Sequence, residues 1–115
     1  MPDEKVTLVN LKELIENFVD ERDWAQFHSA KNLSMAISIE AAELMDLFKW
    51  YDSNDSNGLM EDLTTRQTAT EELADILILC LAFANRNAID IDDAVRSKVS
   101  KNHNKYPVEK FKGRF

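Results

Sequence analysis

Glu40 and Glu43, and again Glu72 and Asp75, form acidic pairs at i,i+3 spacing set among apolar neighbours. On a helix, about 100° per residue places both carboxylates of a pair on one face, one turn apart. Leu33, Ala36, Ile37, Leu44 and Leu47 share the side of Glu40, and Ala69, Ile76, Leu79 and Phe83 share that of Glu72. Acids on such faces are expected to point inward, where an unpaired charge is costly. Four of them around one cavity need protons or cations to stay there. A divalent cation with oxygen ligands meets that need, Mg²⁺ in the first place and Mn²⁺ as a substitute. The small residues inside Glu40-Ala41-Ala42-Glu43 and Glu72-Leu73-Ala74-Asp75 let two helices approach closely enough for the acids to converge. Glu71 lies off the Glu72 stripe and reads as an ordinary structural acid.

Other chemistries fit less well. Di-iron bundles use Glu-x-x-His motifs, and neither His28 nor His103 follows a glutamate by three residues. One cysteine and two distant histidines do not make a zinc ligand set. No nucleophile, base and orienter of a serine or cysteine hydrolase stand out. A glycosidase needs two carboxylates, whereas four clustered acids point to metal.

The elements that carry these acids read as long helices. Two glycines and two prolines in 115 residues leave few breaks, and strand-like alternation is scarce, so an all-α fold follows. A first helix starts at Thr7 or Asn10, the latter in a capping-box pattern with Glu13, and runs to about Glu21. Arg22 to Ser29 breaks the period with Trp24, Gln26, Phe27 and His28, a composition suited to a pocket wall. A second helix covers about Ala30 to Trp50, and Tyr51 to Leu63 reads as a polar loop. A third opens at Thr64 with Gln67 and reaches Arg86. From Leu73 to Ala84 it is apolar nearly all round apart from Asp75, so a subunit interface is expected to cover it. Asp90 caps a fourth helix, which Tyr106-Pro107 stops. The chain reads as one domain, 1–115, with a core over about 7–107 and a tail over 108–115.

Charge is uneven. Arg96 to Phe115 holds seven basic residues against Glu109 alone, so this segment carries +6 and residues 1–95 carry −13 within a net −7. A basic end beside an acidic body suits an anionic small molecule and disfavours duplex nucleic acid, whose phosphates the body repels. The single Cys80, in an apolar run, reads as a small buried hydrophobe in a reducing compartment. The first residues lack a signal-peptide pattern, and the longest uncharged apolar run, Ile76 to Ala84, is too short to span a bilayer. A cytoplasmic location without membrane contact is the expectation.

Taken together, Glu21-Arg22-Asp23-Trp24, Phe27-His28, Lys31-Asn32-Leu33, Glu40-Ala41-Ala42-Glu43, Phe48-Lys49-Trp50, Glu71-Glu72-Leu73-Ala74-Asp75, Ser97-Lys98, Asn102 and Lys105-Tyr106-Pro107 resemble the MazG-like all-α nucleoside triphosphate pyrophosphohydrolases, over residues 18–107. The resemblance is closest to their dCTP pyrophosphatase branch. It implies an oligomeric four-helix bundle, a homodimer or homotetramer, that converts a (deoxy)nucleoside triphosphate to monophosphate and pyrophosphate with Mg²⁺ and serves nucleotide-pool house-cleaning. It assigns Glu40, Glu43, Glu72 and Asp75 to the metal and catalysis, Lys98 and Asn102 to the phosphate end with Lys105 and Tyr106 nearby, and Trp24, His28 and Trp50 to the nucleoside. Three positions depart from the pattern: Ala30 replaces a proline, Ile15 stands where that branch can have histidine, and Leu79 where it can have tyrosine. A non-catalytic helical nucleotide- or protein-binding module with a structural metal site is the alternative reading.

Overall fold

A computed structural model of the chain describes residues 1–114, and all regular structure among them is helical. Six α-helices run in order: α1 (Leu8–Glu21), α2 (Ala30–Asp46), α3 (Ser53–Leu59), α4 (Leu63–Arg86), α5 (Ile91–Lys105) and α6 (Val108–Phe111). Short 3-10 turns occupy Pro2–Glu4 and Ala25–Phe27. The four long helices are those expected. The short α3 was not, and neither was α6, which takes up part of the expected tail; Phe115 lies outside the described residues.

Local chemistry explains the boundaries. Thr7 caps α1 through its hydroxyl to the Asn10 N–H while the Asn10 side chain accepts from the Thr7 N–H, both at 3.1 Å. The start of α4 falls one residue earlier than the Thr64 pattern indicated, because the Asp62 carboxylate accepts from the Thr65 N–H at 3.0 Å. Asp90 caps α5 as expected, accepting from the Asp93 N–H at 2.8 Å. The second helix stops at Asp46 instead of Trp50: the Leu47 and Phe48 N–H groups reach back only three residues, to Leu44 and Met45. In the segment read as a loop, Asp52 accepts from the Asp55 N–H at 2.8 Å and starts a helix that its Asn, Asp and Ser content disguised.

α4 is the central element, packed against α2 on one flank and α1 on the other. Ile15, Leu33, Leu81 and Ala82 form the buried cluster where the three meet, with Val19, Leu79, Phe83 and Ile91 against it. Two reciprocal bonds tie α1 to the end of α4. Lys12 Nζ donates to the Ile89 carbonyl at 2.7 Å, and Asn85 Nδ2 donates to the Lys12 carbonyl at 3.0 Å.

The core is sparse. Among the described residues Leu33, at 2 % exposure, is the one large side chain that is fully enclosed, whereas Leu73 and Leu77 of α4 are 51 % and 52 % exposed. The radius of gyration is 17.1 Å, against about 13 Å for a compact monomer of this length. Two apolar grooves flank α4. One, of ≈ 440 Å³, lies between α1 and α4 and is lined by Leu11, Leu14, Phe18, Leu77 and Ile78 among others. The other, of ≈ 430 Å³, lies between α2 and α4 beside Leu44, Met45, Phe48 and Leu73.

Both α1 and α4 end in a left-handed residue that is not glycine. Asp23 has φ 52° and Ala88 has φ 53°. After α4 the Ile89 N–H bonds the Ala84 carbonyl and the Ala88 N–H bonds that of Asn85, the double closure that glycine usually terminates. A left-handed alanine costs about 1 kcal/mol or more. Ala88→Gly is therefore expected to raise the thermal midpoint by a few degrees and Ala88→Val to lower it, as read by circular dichroism melting.

Candidate functional site

The face of α2 that meets α4 carries Glu40 and Glu43, and the opposing face of α4 carries Glu72 and Asp75. One carboxylate oxygen from each of Glu40, Glu43 and Glu72 lies within 4.8 Å of the others. Glu40 and Glu72 are half-buried, and Glu43 is exposed. Asp75 is exposed as well and stands outside this tight trio, though close enough for its charge to act on Glu40 and Glu72.

Glu40 Oε2 and Glu72 Oε2 are buried without a hydrogen-bond partner. As carboxylates they face each other with no donor between them, an arrangement that native proteins rarely leave unsatisfied. Protons or cations must fill the gap. Without a cation, the Glu40 carboxyl is pushed from 4.5 up to about 7, first because a proton on it is shared with Glu43. Burial, a second shared hydrogen bond to Glu72, and the like charges of Glu43 and Asp75 add to this. Glu72 also moves upward, first through burial, with the charges of Glu43 and Asp75 reinforcing it and the hydrogen bond from Glu40 opposing it. An all-oxygen trio with two orphaned buried oxygens suits a hard divalent cation. Glu71, outside the trio, is exposed and accepts from Gln67 Nε2 at 3.4 Å.

The remaining residues singled out in the sequence lie outside this acidic trio. Trp24 is 44 % exposed, with its ring edge-on to Phe18 at 5.7 Å. His28 lines a cavity of ≈ 50 Å³ with Glu16, Asp20, Asn85 and Arg86. Asn85 lies thirteen residues beyond Glu72 on α4, about 20 Å along the axis. Trp50 is 84 % exposed just beyond α2, with the Lys49 ammonium 5.2 Å from its ring centre. Lys98 and Asn102 are on α5, which makes no extensive packing with α2 or α4. At its end Lys105 sits 5.3 Å from the Tyr106 ring, which meets Phe111 edge-on at 5.2 Å.

Two of the departures noted in the sequence are core positions: Ile15 is in the buried cluster and Leu79 packs against it. The third, Ala30, opens α2 behind Ser29, which caps the helix by accepting from the Asn32 N–H. Asn32 is itself a structural clasp, its Nδ2 donating to the Phe27 carbonyl at 3.0 Å. The sequence reading does not link Phe18 or Arg22 to Trp24, which both support; the i,i+4 spacing of Phe18 and Arg22 is the available signal.

Known proteins resemble this chain in sequence and in fold. The chain is 37 % identical over 107 residues to dCTP pyrophosphatase 1 of Mus musculus, covering 93 % of this chain and 63 % of that protein. With dCTP pyrophosphatase 1 of Homo sapiens it shares 38 % identity over 101 residues, covering 88 % and 59 %. The chain thus spans about three fifths of the length of these relatives. A crystal structure of a pyrophosphatase from Archaeoglobus fulgidus superposes with a TM-score of 0.77 at 36 % identity, covering 83 % of this chain and 87 % of that one. A sequence model of the MazG-like family matches residues 35–114, which include both acidic pairs and the basic stretch of α5. With family match, relatives and fold in accord, the chain belongs to the MazG-like family.

Proposed function

We propose that the chain is a Mg²⁺-dependent nucleoside triphosphate pyrophosphohydrolase, with dCTP-like substrates first in line, acting in the cytoplasm to clear surplus or unwanted nucleotides. The observation that carries this reading is the pair of orphaned buried oxygens on Glu40 and Glu72, with Glu43 beside them. The kinship with proteins named dCTP pyrophosphatase supports this substrate class. Mn²⁺ would substitute, since it accepts the same oxygen donors.

Glu40, Glu43, Glu72 and Asp75 would hold the cation. When bound, it supplies positive charge that neutralises triphosphate oxygens and acidifies water. The chain does the rest. One of the glutamates accepts the proton of the attacking water on a carboxylate oxygen. Lys98, as a point charge, and Asn102, through its side-chain amide, bind phosphate oxygens, with Lys105 and Tyr106 nearby. Trp24, His28 and Trp50 receive the nucleoside, the indoles by stacking on the base. Positioning and charge neutralisation supply most of the rate.

A site shared between copies would bring the phosphate and nucleoside residues to the acids, since α5 makes no extensive packing with α2 or α4 in one chain. The exposed apolar flanks of α4 favour the same conclusion. A homodimer that covers one groove leaves the other open, and a homotetramer covers both.

The division of labour is testable in kinetics on several triphosphates. Trp24→Ala is expected to raise the apparent dissociation constant by about one to two orders of magnitude and to change the ranking of bases, and His28→Ala to act in the same sense. Lys98→Ala should weaken all triphosphates almost equally, because a phosphate contact carries no base information. Equal losses across bases for Trp24→Ala would show that this loop does not read the base.

A further inference from the structure

We infer that Arg22 is a positioning residue for Trp24, and that it sets nucleotide affinity by holding the indole in place instead of touching phosphate. The inference rests on the reading of Trp24 as a base contact. α1 ends at Glu21, Arg22 follows as its cap, and Asp23 turns the chain through the left-handed region. The Asp23 N–H bonds the Asp20 carbonyl and the Trp24 N–H bonds the Val19 carbonyl, each at 3.1 Å. This double closure places the backbone of Trp24 back over the last turn of α1. It does not orient the side chain.

Orientation comes from a stack. The Arg22 guanidinium lies 3.8 Å from the centre of the Phe18 ring and 6.0 Å from that of Trp24. The two rings meet edge to face, 5.7 Å apart at 77°, a geometry favoured by the aromatic quadrupole. Arg22 Nη1 also donates to the Phe18 carbonyl at 3.0 Å, one of the free carbonyls at the end of the helix, and stands 3.5 Å from Glu21. A planar cation at a helix C-terminus is favoured by the helix dipole and by both ring faces. Gln26 closes the other side of the turn, its Nε2 donating to the Asp23 carbonyl at 3.0 Å and to its carboxylate at 3.2 Å. Trp24 is therefore half-exposed yet fixed, the condition for a stacking platform that loses little freedom when a base arrives. With its charge met by Glu21 and the Phe18 carbonyl, Arg22 is committed to the turn and not extended toward a ligand.

Arginine and lysine separate the two roles, since lysine keeps the charge and loses the planar face. The test uses the full chain labelled with ¹⁵N-tryptophan, the Trp24 indole signal being assigned with Trp24→Phe. Arg22→Ala and Arg22→Lys are both expected to shift the Trp24 signal, and to raise KM for dCTP by about tenfold with kcat within about twofold. Arg22→Lys retains charge and stem, so it reports even where the alanine variant fails to fold. Wild-type KM in Arg22→Lys, or an unmoved Trp24 signal in either variant, would overturn the inference in favour of a charge effect or no role. A Trp24→Ala variant that keeps wild-type KM, while Arg22→Lys still shifts the indole signal, would overturn the base-contact reading itself and the inference with it.

Discussion

Glu40→Gln and Glu72→Gln are each expected to lower nucleotide turnover by about a thousandfold or more, while leaving the metal-free protein as stable as the parent or more stable. The two effects share one cause. A glutamine is nearly the shape of the glutamate but brings no charge, so it gives up cation affinity and relieves the repulsion among Glu40, Glu43 and Glu72. The same cause gives a pH dependence with a definite sign. Glu40 titrates at about 7 in the fold against 4.5 ordinarily, so between those values the folded chain holds more protons than the unfolded one. The metal-free protein is then most favoured below that interval and loses stability as pH rises through about 7, with Glu72 contributing in the same direction. Added Mg²⁺ should restore the melting temperature at high pH, and Glu40→Gln should flatten the slope. Near-normal turnover in both variants with Mg²⁺ present would remove these acids from the catalytic assignment.

The second large effect is expected from Leu77→Arg. Leu77 is 52 % exposed in the middle of the groove between α1 and α4, beside Leu11, Leu14 and Ile78. Burying that groove against another copy would remove a row of large apolar side chains from water, each worth roughly 1.5–3 kcal/mol when fully enclosed. An arginine there has no partner to meet its charge in a closed interface. The variant should sediment as a monomer, melt much earlier and lose activity together with assembly. Velocity sedimentation of the parent at micromolar concentration should show a dimer or tetramer; a folded, active monomer under those conditions would sink the assembly.

Which parts of this molecule the sequence disclosed follows from how far each signal acts. Helical periodicity is local, and it placed α1, α2, α4 and α5 and the acids on their faces. Asp90 and Tyr106-Pro107 bounded α5 correctly because caps and prolines act within one turn. The end of α2 was missed since Leu47, Phe48 and Trp50 continue an apolar pattern while the backbone tightens to three-residue spacing. α3 was missed since Asn and Ser weigh against helix, and only the Asp52 cap reverses that. The acids were legible as polar residues where apolar ones were due. Their degree of convergence was not: α2 and α4 bring Glu40, Glu43 and Glu72 together and leave Asp75 at the rim, a consequence of crossing geometry that no spacing rule contains. Nor does spacing show that Lys98 and Asn102 sit on a helix standing off from that crossing, because the placement of α5 depends on contacts far away in sequence.

The central claim is tested most directly by following dCTP and Mg²⁺ with the purified protein by ³¹P NMR. The triphosphate signals should give way to those of dCMP and pyrophosphate alone, at a rate that falls to background in Glu40→Gln and when the divalent cation is chelated. Release of orthophosphate with dCDP, or an unchanged dCTP spectrum while Mg²⁺ still raises the melting temperature, would contradict it, the latter leaving the acids as a structural metal site in a binding module.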